Sequence, residues 1–479
     1  MSESLRKKTI QGVAWSTIER FSLQTIQFII NIIMARLLLP SDYGMIGMLA
    51  IFLQLSQTFI DCGFTNALIQ RKERTEVDFS TVFYCNILIA IILYGILYFS
   101  APLIANFYKM PQLTLVTRII ALNFIFASFS AIHKIKLTIN IDFKTQSKAS
   151  LTAAIVSGSI GITTAYIGME VWALVIQSIL NSLLLTILLC CFLKWKPLKK
   201  FSLQSFKSLF SFGSKLMIAN FINIIYRNLY TLIIGKKFSA ITLGYYTRAE
   251  QFASFPPSNI NSILSRVIYP ILSSIQEDND RLANTYRKYI QLASFVIFPL
   301  MTGVASLAHP IISILLTNKW IGVVTLLQIL CFDWMFDHIS TINLNLLYVK
   351  GRSDLSLRLE IIKKTIAIVI LFISIPFGIQ GMCWGRVVYS LIATYANCYY
   401  TQSLIGLTFK QQIYDILPYF ALALSMGAII IGIVHFIFQP FASIIVGILV
   451  GMTFYLLMSY LFKIKAFEEI LRLIHIKRI

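Results

Sequence analysis

The chain has 479 residues, of which 57% are hydrophobic and 13% are charged, and its mean hydropathy is +0.76. A soluble globular domain carries about 25% charged residues, so this composition excludes a soluble enzyme and indicates an integral membrane protein. The net charge of +21 would suit nucleic acid in a soluble protein. Here the basic residues lie mainly in short loops between apolar segments, so no nucleic-acid partner is expected.

Fourteen apolar segments follow one another along the chain, and each is long enough to cross a bilayer, which takes about 20 residues. The predicted helices cover residues 10–39, 45–69, 79–105, 113–133, 149–169, 171–193, 210–235, 243–275, 287–308, 321–348, 361–377, 382–402, 414–436 and 441–462. The eighth is overlong and is predicted to be broken at Pro256 and Pro257, because prolines free backbone groups that need other partners. The sequence therefore predicts an all-α integral membrane protein with 14 transmembrane helices.

The positions of lysine and arginine predict the orientation of these helices. With a cytoplasmic N-terminus, 29 of the 41 basic residues fall in inner segments or within the first few residues of the spans that follow them, four fall in outer loops and eight fall deeper within spans. This asymmetry is what the positive-inside rule requires. Both termini are therefore predicted to be cytoplasmic, and the amphipathic tail is predicted to lie on the inner membrane surface.

The two halves of the chain resemble each other. At an offset of 200 residues Gly44 falls on Gly244, and later, at an offset of 212, Trp172 falls on Trp384. Internal repeats with binding between them are typical of secondary transporters. The predicted organisation is an N-lobe, an inter-lobe loop, a C-lobe, two further helices and the tail, at residues 1–193, 194–209, 210–402, 403–462 and 463–479.

Enzyme signatures are nearly absent, because the chain has no Walker loop, no HExxH and no GxSxG. Asp278, Asn279 and Asp280 match the short DxD pattern of some glycosyltransferases. A solvated polar turn is the favoured interpretation, because no soluble catalytic domain surrounds these residues. We therefore expect no catalytic residue, no metal site and no cofactor.

The candidate binding residues are arginines inside apolar segments. Arginine in hydrocarbon is costly and is usually kept only where it faces a bundle interior or a watery cavity. Its fixed charge and planar guanidinium suit phosphate and carboxylate groups. We expect a cationic cavity formed by Arg227, Arg248, Arg266 and Arg20. The alternatives are structural: Arg20 pairs with Glu19 or Asp61, and Arg266 extends to the inner interface.

Acidic residues within the spans are candidates for ion coupling or for charge balance. Asp333 and Asp337 are four residues apart and share one helix face. A close carboxylate pair can take up a proton or a sodium ion, or the two acids can neutralise the arginines of helices 7 and 8. Asp61 and Glu19 are predicted to be structural partners of Arg20.

Four stretches carry a resemblance to a known family: ARLLLPSDYG at 35–44, DCGFTNALIQRKE at 61–73, the segment 255–278 and NKWIGVVTLLQILC at 318–331. The chain resembles the oligosaccharide flippases of the multidrug/oligosaccharidyl-lipid/polysaccharide (MOP) superfamily. Within that superfamily it is similar to the polysaccharide-transporter branch and its colanic-acid-exporter-like members.

This resemblance implies two pseudo-symmetric six-helix lobes around a central cavity that opens alternately to each side. It implies a bacterial inner-membrane protein that moves an undecaprenyl-diphosphate-linked oligosaccharide, a precursor of lipopolysaccharide, capsule or exopolysaccharide. Polysaccharide polymerase and glycosyltransferases are the expected protein partners, and helices 13 and 14 are expected to guide the lipid tail among membrane lipids. The alternatives are a cation-coupled multidrug antiporter of the same superfamily and a membrane polyprenyl-phosphate glycosyltransferase.

Overall fold

The structure is a computed structural model that describes residues 3–61, 63–71 and 73–476, with side chains described at 15, 19, 21–61, 63–71, 73–215, 217–218, 220–469 and 471. The described residues contain helices and no strand. They form two compact units, residues 1–244 and 245–479. The all-α class predicted from the sequence is confirmed.

The first unit contains nine helices and the start of a tenth. They are α1 (Glu3–Leu37), α2 (Pro40–Asp61), α3 (Phe64–Gln70), α4 (Glu76–Tyr108), α5 (Leu113–Ile120), α6 (Asn123–Ile139), α7 (Phe143–Tyr166), α8 (Val171–Leu193), α9 (Leu203–Lys237) and α10 (Ala240–Ser274).

The second unit contains the rest of α10 and ten further helices. They are α11 (Asn279–Ser306), α12 (Ala308–Leu316), α13 (Val323–Met335), α14 (Asp337–Val349), α15 (Ser353–Ser374), α16 (Gly378–Cys398), α17 (Thr401–Ile405), α18 (Phe409–Val434), α19 (Pro440–Leu461) and α20 (Lys465–Ile476).

Ten segments of the described chain are long and apolar enough to cross a membrane. The number is eleven if the bent pair Leu203–Lys215 and Asn220–Lys237 forms one span. The chain is thus a multi-pass membrane protein, although this count is lower than the fourteen helices predicted. One of the ten segments, Ser353–Ile405, contains both α15 and α16.

Several predicted helices are divided or extended in the structure. The second is divided at Gly63, whose φ of +67° is readily adopted only by glycine. The fourth is divided into α5 and α6, and the tenth into α13 and α14. The ninth begins at Asn279 rather than at 287, because Asp278 caps its N-terminus by accepting a hydrogen bond from the backbone N–H of Arg281 at 3.0 Å.

The predicted break in the eighth helix is wrong. Helix α10 continues from Ala240 to Ser274 with Pro256, Pro257 and Pro270 inside it. A proline removes its own N–H donor, but the hydrogen bonds of the neighbouring turns remain. Helices in membranes tolerate such losses better than helices in water, because neighbouring groups satisfy the freed carbonyls.

Two glycines 200 residues apart allow the N-terminal turns of α2 and α10 to meet. A Cβ at Gly44 would lie 1.8 Å from the carbonyl oxygen of Ala240, and a Cβ at Gly244 would lie 1.9 Å from that of Pro40. Real Cβ atoms do not approach other atoms below 3.0 Å. Glycine is therefore required at both positions by backbone-to-backbone contact.

The predicted inter-lobe loop is attached to α4 in the first unit. The indole N–H of Trp195 donates to Glu76 at 2.7 Å, and the ammonium of Lys136 donates to the same carboxylate at 2.6 and 2.8 Å. The backbone N–H of Leu198 donates to the hydroxyl of Ser80 at 2.8 Å. These bonds hold residues 195–198 against the start of α4.

We expect Trp195→Ala to release this loop, because it removes both the indole hydrogen bond and the ring beneath Lys136, whose ammonium lies 4.9 Å from the ring centroid. Limited digestion of the purified protein with trypsin should then cut after Lys199 and Lys200 several-fold faster. Trp195→Phe keeps the ring and should have a smaller effect. Equal digestion rates in all three proteins would contradict the attachment.

Helix α18 is fastened to α11 in the second unit. Asp415 accepts hydrogen bonds from Arg287 at 2.6 and 2.7 Å and from Gln291 at 3.0 Å. Deeper in the same contact, the hydroxyl of Tyr286 donates to Gln412 at 3.2 Å, and both of these residues are buried. Helix α18 therefore packs on α11 through a paired charge and a buried polar contact.

Candidate functional site

Two acidic residues of the first unit lie near Lys134, which was predicted to lie in a loop. Glu19 of α1 is buried, and Asp61 is the last residue of α2. The ammonium of Lys134, within α6, lies within electrostatic reach of both carboxylates. Lys134 thus brings positive charge near both acids, although the described side chains show no ion pair between it and either one. The side chain of Arg20, the predicted partner of both acids, lies outside the described residues.

Arg227 lies on α9, next to a contact that joins α9 to α2. The amide of Asn228 donates to the side-chain oxygen of Gln54 at 3.0 Å. Arg227 is exposed, and no ion pair is found for it among the side chains that the structure describes. Its guanidinium is therefore available to a ligand.

Arg248 is the buried member of the predicted cationic set, with 6% of its surface exposed. Its guanidinium donates to the side-chain oxygen of Gln251, one helical turn further along α10. It also lies 6.0 Å from the ring centroid of Trp320, a distance at which a cation is attracted to the aromatic face. Arg248 is therefore held in place by its own helix and by an aromatic ring of the second unit.

Arg266 lies on the same helix, 18 residues beyond Arg248, which corresponds to about 27 Å along a helix axis. It is exposed, and the described part of the second unit contains no ion pair to it. The three arginines with described side chains thus differ: Arg227 and Arg266 are exposed, and Arg248 is enclosed.

A buried charge cluster joins three helices of the second unit. The guanidinium of Arg386, on α16, binds Glu250 of α10 at 2.6 and 3.1 Å and Asp333 of α13 at 2.6 Å. It also donates to the hydroxyl of Tyr246 at 2.7 Å. Two carboxylates and one guanidinium leave a formal charge of −1. Arg386 therefore neutralises one of the two acids and connects α10, α13 and α16.

The second acid of the predicted pair, Asp337, is at the start of α14 and accepts a hydrogen bond from Asn261 of α10 at 2.7 Å. Asp333 and Asp337 therefore have different partners: a cation for the first and an amide for the second. The sequence left ion coupling and charge balance open. Asp333 has a structural counter-charge, and the arginine that provides it lies on the twelfth predicted helix rather than on the seventh or eighth.

The sequence reasoning missed the roles of Lys134, Glu250 and Arg386. Lys134 was counted as a loop residue because the apolar segment before it was already long enough for a span. The signal for the other two was present, since each is a charged residue inside an apolar segment. Their pairing has no signal in spacing, because 136 residues separate them.

The DxD pattern has structural partners of its own. Asp278 caps α11, and the side-chain oxygen of Asn279 accepts a hydrogen bond from Lys350 at 2.7 Å. These contacts support the interpretation of this segment as a polar turn that starts a helix.

An apolar cavity of about 570 Å³ lies between α11, α12, α18 and α19 in the second unit. Its walls include Leu300, Leu307, Met426, Ile430 and Met452. Gly447 and Gly451 of α19 also line the cavity, and because glycine has no side chain they leave space at this surface of the helix. The cavity has the chemistry of a site for a hydrocarbon chain.

The fold and these groups define a class: a multi-pass helical membrane protein that carries charged side chains within its spans. The chain belongs to the family described as polysaccharide biosynthesis protein, whose model matches residues 33–325. The predicted membership of a polysaccharide family is confirmed by this match.

Two relatives match nearly the whole chain. The teichuronic acid biosynthesis protein TuaB of Bacillus subtilis (strain 168) is 26% identical over 460 residues, which are 95% of this chain and 95% of TuaB. The lipopolysaccharide biosynthesis protein WzxC of Escherichia coli (strain K12) is 24% identical over 438 residues, 90% of this chain and 88% of WzxC.

Among solved structures, the lipid II flippase MurJ in an inward closed conformation has a similar fold. The TM-score is 0.74 at 18% sequence identity, and the match covers 94% of this chain and 98% of that chain. At this identity the likeness concerns the fold alone.

Proposed function

We propose that this protein is a flippase that moves an undecaprenyl-diphosphate-linked oligosaccharide across the bacterial inner membrane by alternating access. The observation that carries the proposal is membership of the polysaccharide biosynthesis family, with relatives that match nearly end to end. The names of those relatives refer to surface polysaccharides, and the fold is shared with a lipid II flippase. The transported oligosaccharide is a precursor of lipopolysaccharide, capsule or exopolysaccharide.

The diphosphate and the sugars bind the intramembrane arginines in this proposal. Exposed Arg227 and Arg266 supply guanidinium groups that no described carboxylate occupies, and Arg248 supplies a third that is held by Gln251. Arg20 completes the proposed set. A guanidinium binds phosphate through two parallel hydrogen bonds, and such charge-assisted bonds are stronger than neutral ones.

The proposed topology has fourteen spans, with both termini in the cytoplasm. Division of Ser353–Ile405 into α15 and α16 adds one span to the ten apolar segments, and α9 adds another. Helices α1 and α10 complete the fourteen. The apolar part of α1, Phe21–Leu37, is shorter than a full span, and α10 carries Arg248, Glu250 and Arg266. The matched boundaries of α1 and α9, at Leu37 and Lys237, support two pseudo-symmetric lobes.

The apolar cavity between α11, α12, α18 and α19 receives the polyprenyl tail in this proposal. Its residues are hydrocarbon-like, so a tail there loses little relative to lipid while the headgroup crosses. Glycosyltransferases that build the substrate and a polymerase that uses it are the proposed functional partners.

The rival antiporter is less well supported. A cation-coupled antiporter needs acidic side chains that are accessible to a cation, and it needs the arginines to be neutralised by carboxylates. Asp333 is paired with Arg386, whereas Arg227 and Arg266 have no described carboxylate partner. These placements favour an anionic substrate.

The direct test is depletion of the protein in its own cell, followed by extraction of the membrane lipids. We expect an oligosaccharide linked to polyprenyl diphosphate to accumulate on the cytoplasmic side, with loss of the corresponding surface polymer. Unchanged lipid-linked sugars together with altered drug sensitivity would instead identify the antiporter.

Single substitutions test the cationic residues. Arg227→Ala and Arg266→Ala should each lower surface polymer at least tenfold, because a hydrogen bond to a charged group contributes about 1.5–3 kcal/mol. Arg358→Ala is the matched control, since Arg358 is exposed on α15 and is not assigned to the site. Membrane levels of each variant are measured by immunoblotting, and normal polymer in both variants would remove these arginines from the site.

A further inference from the structure

A second cavity of about 570 Å³ lies near the start of α18 and the junction of α19 with α20. Its wall on α18 includes Pro418, Ala421, Leu422 and Ser425, and all of these except Leu422 are exposed. Tyr414, Asp415 and Tyr419 of the same helix also line it. The wall is thus mostly apolar and carries hydroxyl groups.

The positive and negative charges around this cavity do not balance. Asp415, which lines it, is neutralised by Arg287 at 2.6 Å. Lys463 and Lys465 also line it, both are exposed, and the described residues provide no acidic partner within ion-pair distance of either one. The mouth of the cavity therefore carries a surplus of two positive charges beside an apolar wall.

The backbone turns sharply at Lys463. Lys463 has a φ of +48°, in the left-handed region that favours glycine. The backbone N–H of Ile464 donates to the carbonyl of Ser459 at 3.0 Å, which ends α19. This turn places Lys463 at the lining of the cavity, and α4 and α8 end in the same way at Lys109 and Lys194.

We propose that this cavity binds an anionic phospholipid of the cytoplasmic leaflet, with the phosphate between Lys463 and Lys465 and an acyl chain along Pro418, Ala421 and Leu422. The leaflet follows from the proposed orientation of the chain. An anionic phospholipid fits because it combines a negative headgroup with hydrocarbon, as the cavity combines two lysines with an apolar wall. Basic clusters beside membrane helices attract anionic lipids in this way. This site is separate from the arginines assigned to the transported substrate.

The test measures lipid binding to the full-length purified protein by native mass spectrometry. The probes are phosphatidylglycerol and phosphatidylcholine with the same acyl chains. We expect the double variant Lys463→Gln/Lys465→Gln to bind phosphatidylglycerol about 30-fold more weakly, because each lysine near an anionic headgroup contributes roughly a fivefold gain in affinity. Phosphatidylcholine binding should not change.

A matched double variant, Lys199→Gln/Lys200→Gln, removes the same charge from exposed positions of the inter-lobe loop and should bind phosphatidylglycerol normally. Ala421→Trp fills the cavity without changing charge and should also weaken that binding. Equal phosphatidylglycerol affinity in all the variants would overturn the proposal. So would a loss confined to undecaprenyl diphosphate in a parallel titration, since that would identify a resting site for the transported substrate.

Discussion

Gly44→Ala is expected to prevent accumulation of folded protein. The added Cβ would lie 1.8 Å from the carbonyl oxygen and 2.5 Å from the carbonyl carbon of Ala240. Both are backbone atoms at the start of α10, so no side-chain rotation can relieve the clash, and the two helices must separate. Overpacking usually costs about 1–3 kcal/mol and sometimes more; we expect the upper end of this range or beyond.

The measurement is the yield of monodisperse protein after purification, with the midpoint of thermal unfolding for whatever remains. Gly244→Ala should behave in the same way, because its Cβ would lie 1.9 Å from the carbonyl oxygen of Pro40. Gly95→Ala is the control: no atom lies within 4 Å of its added Cβ, and alanine is the better helix former. Gly44→Ala with the yield and midpoint of Gly95→Ala would refute the close approach.

Arg386→Ala should be the most destabilising single change among the charged residues of the second unit. It leaves Glu250 and Asp333 without the guanidinium that binds both at 2.6 Å. Removing one partner of a buried ion pair typically costs about 3–5 kcal/mol, and here the buried carboxylate of Asp333 loses its cation while Glu250 is partly exposed. The thermal unfolding midpoint of the purified variant measures the loss.

Two further variants separate lost charge balance from lost packing. The triple variant Arg386→Met, Glu250→Gln, Asp333→Asn removes all three charges and should regain most of the stability, since neutral replacements of buried ion pairs are often tolerated. Arg352→Ala breaks an exposed pair with Asp354 and should leave the midpoint unchanged. If the triple variant were as unstable as Arg386→Ala, packing rather than charge would explain the loss.

The helices were predictable to the extent that they are apolar. The lengths of the apolar segments predicted where helices lie, but they did not predict the residues at which N-terminal caps extend those helices. Helix α7 begins at Phe143 rather than at 149, because Asp142 accepts a hydrogen bond from the backbone N–H of Thr145 at 3.1 Å. Cap signals of this kind are readable from sequence. The divisions of the fourth and tenth helices have no such signal, because they depend on packing against neighbouring helices.

The candidate site was predictable only as a set of residues. The cost of charge in hydrocarbon identified Arg227, Arg248 and Arg266, but not which of them would be exposed or which acid would pair with which base. Asp333 and Arg386 are 53 residues apart on different helices, and Lys134 lies within electrostatic range of acids on α1 and α2. Only tertiary packing determines such partners. Whether the exposed arginines bind substrate remains a prediction that their substitution tests.

The fastening of α18 to α11 has a consequence for exchanging parts between relatives. A chimera that replaces residues 409–461 with those of a relative would separate Gln412 and Asp415 from Tyr286, Arg287 and Gln291. The chimera would then have to include a matching α11 or leave Arg287 without its carboxylate partner. The last two long helices are thus not a detachable module, and an exchange should transfer α11, α18 and α19 together.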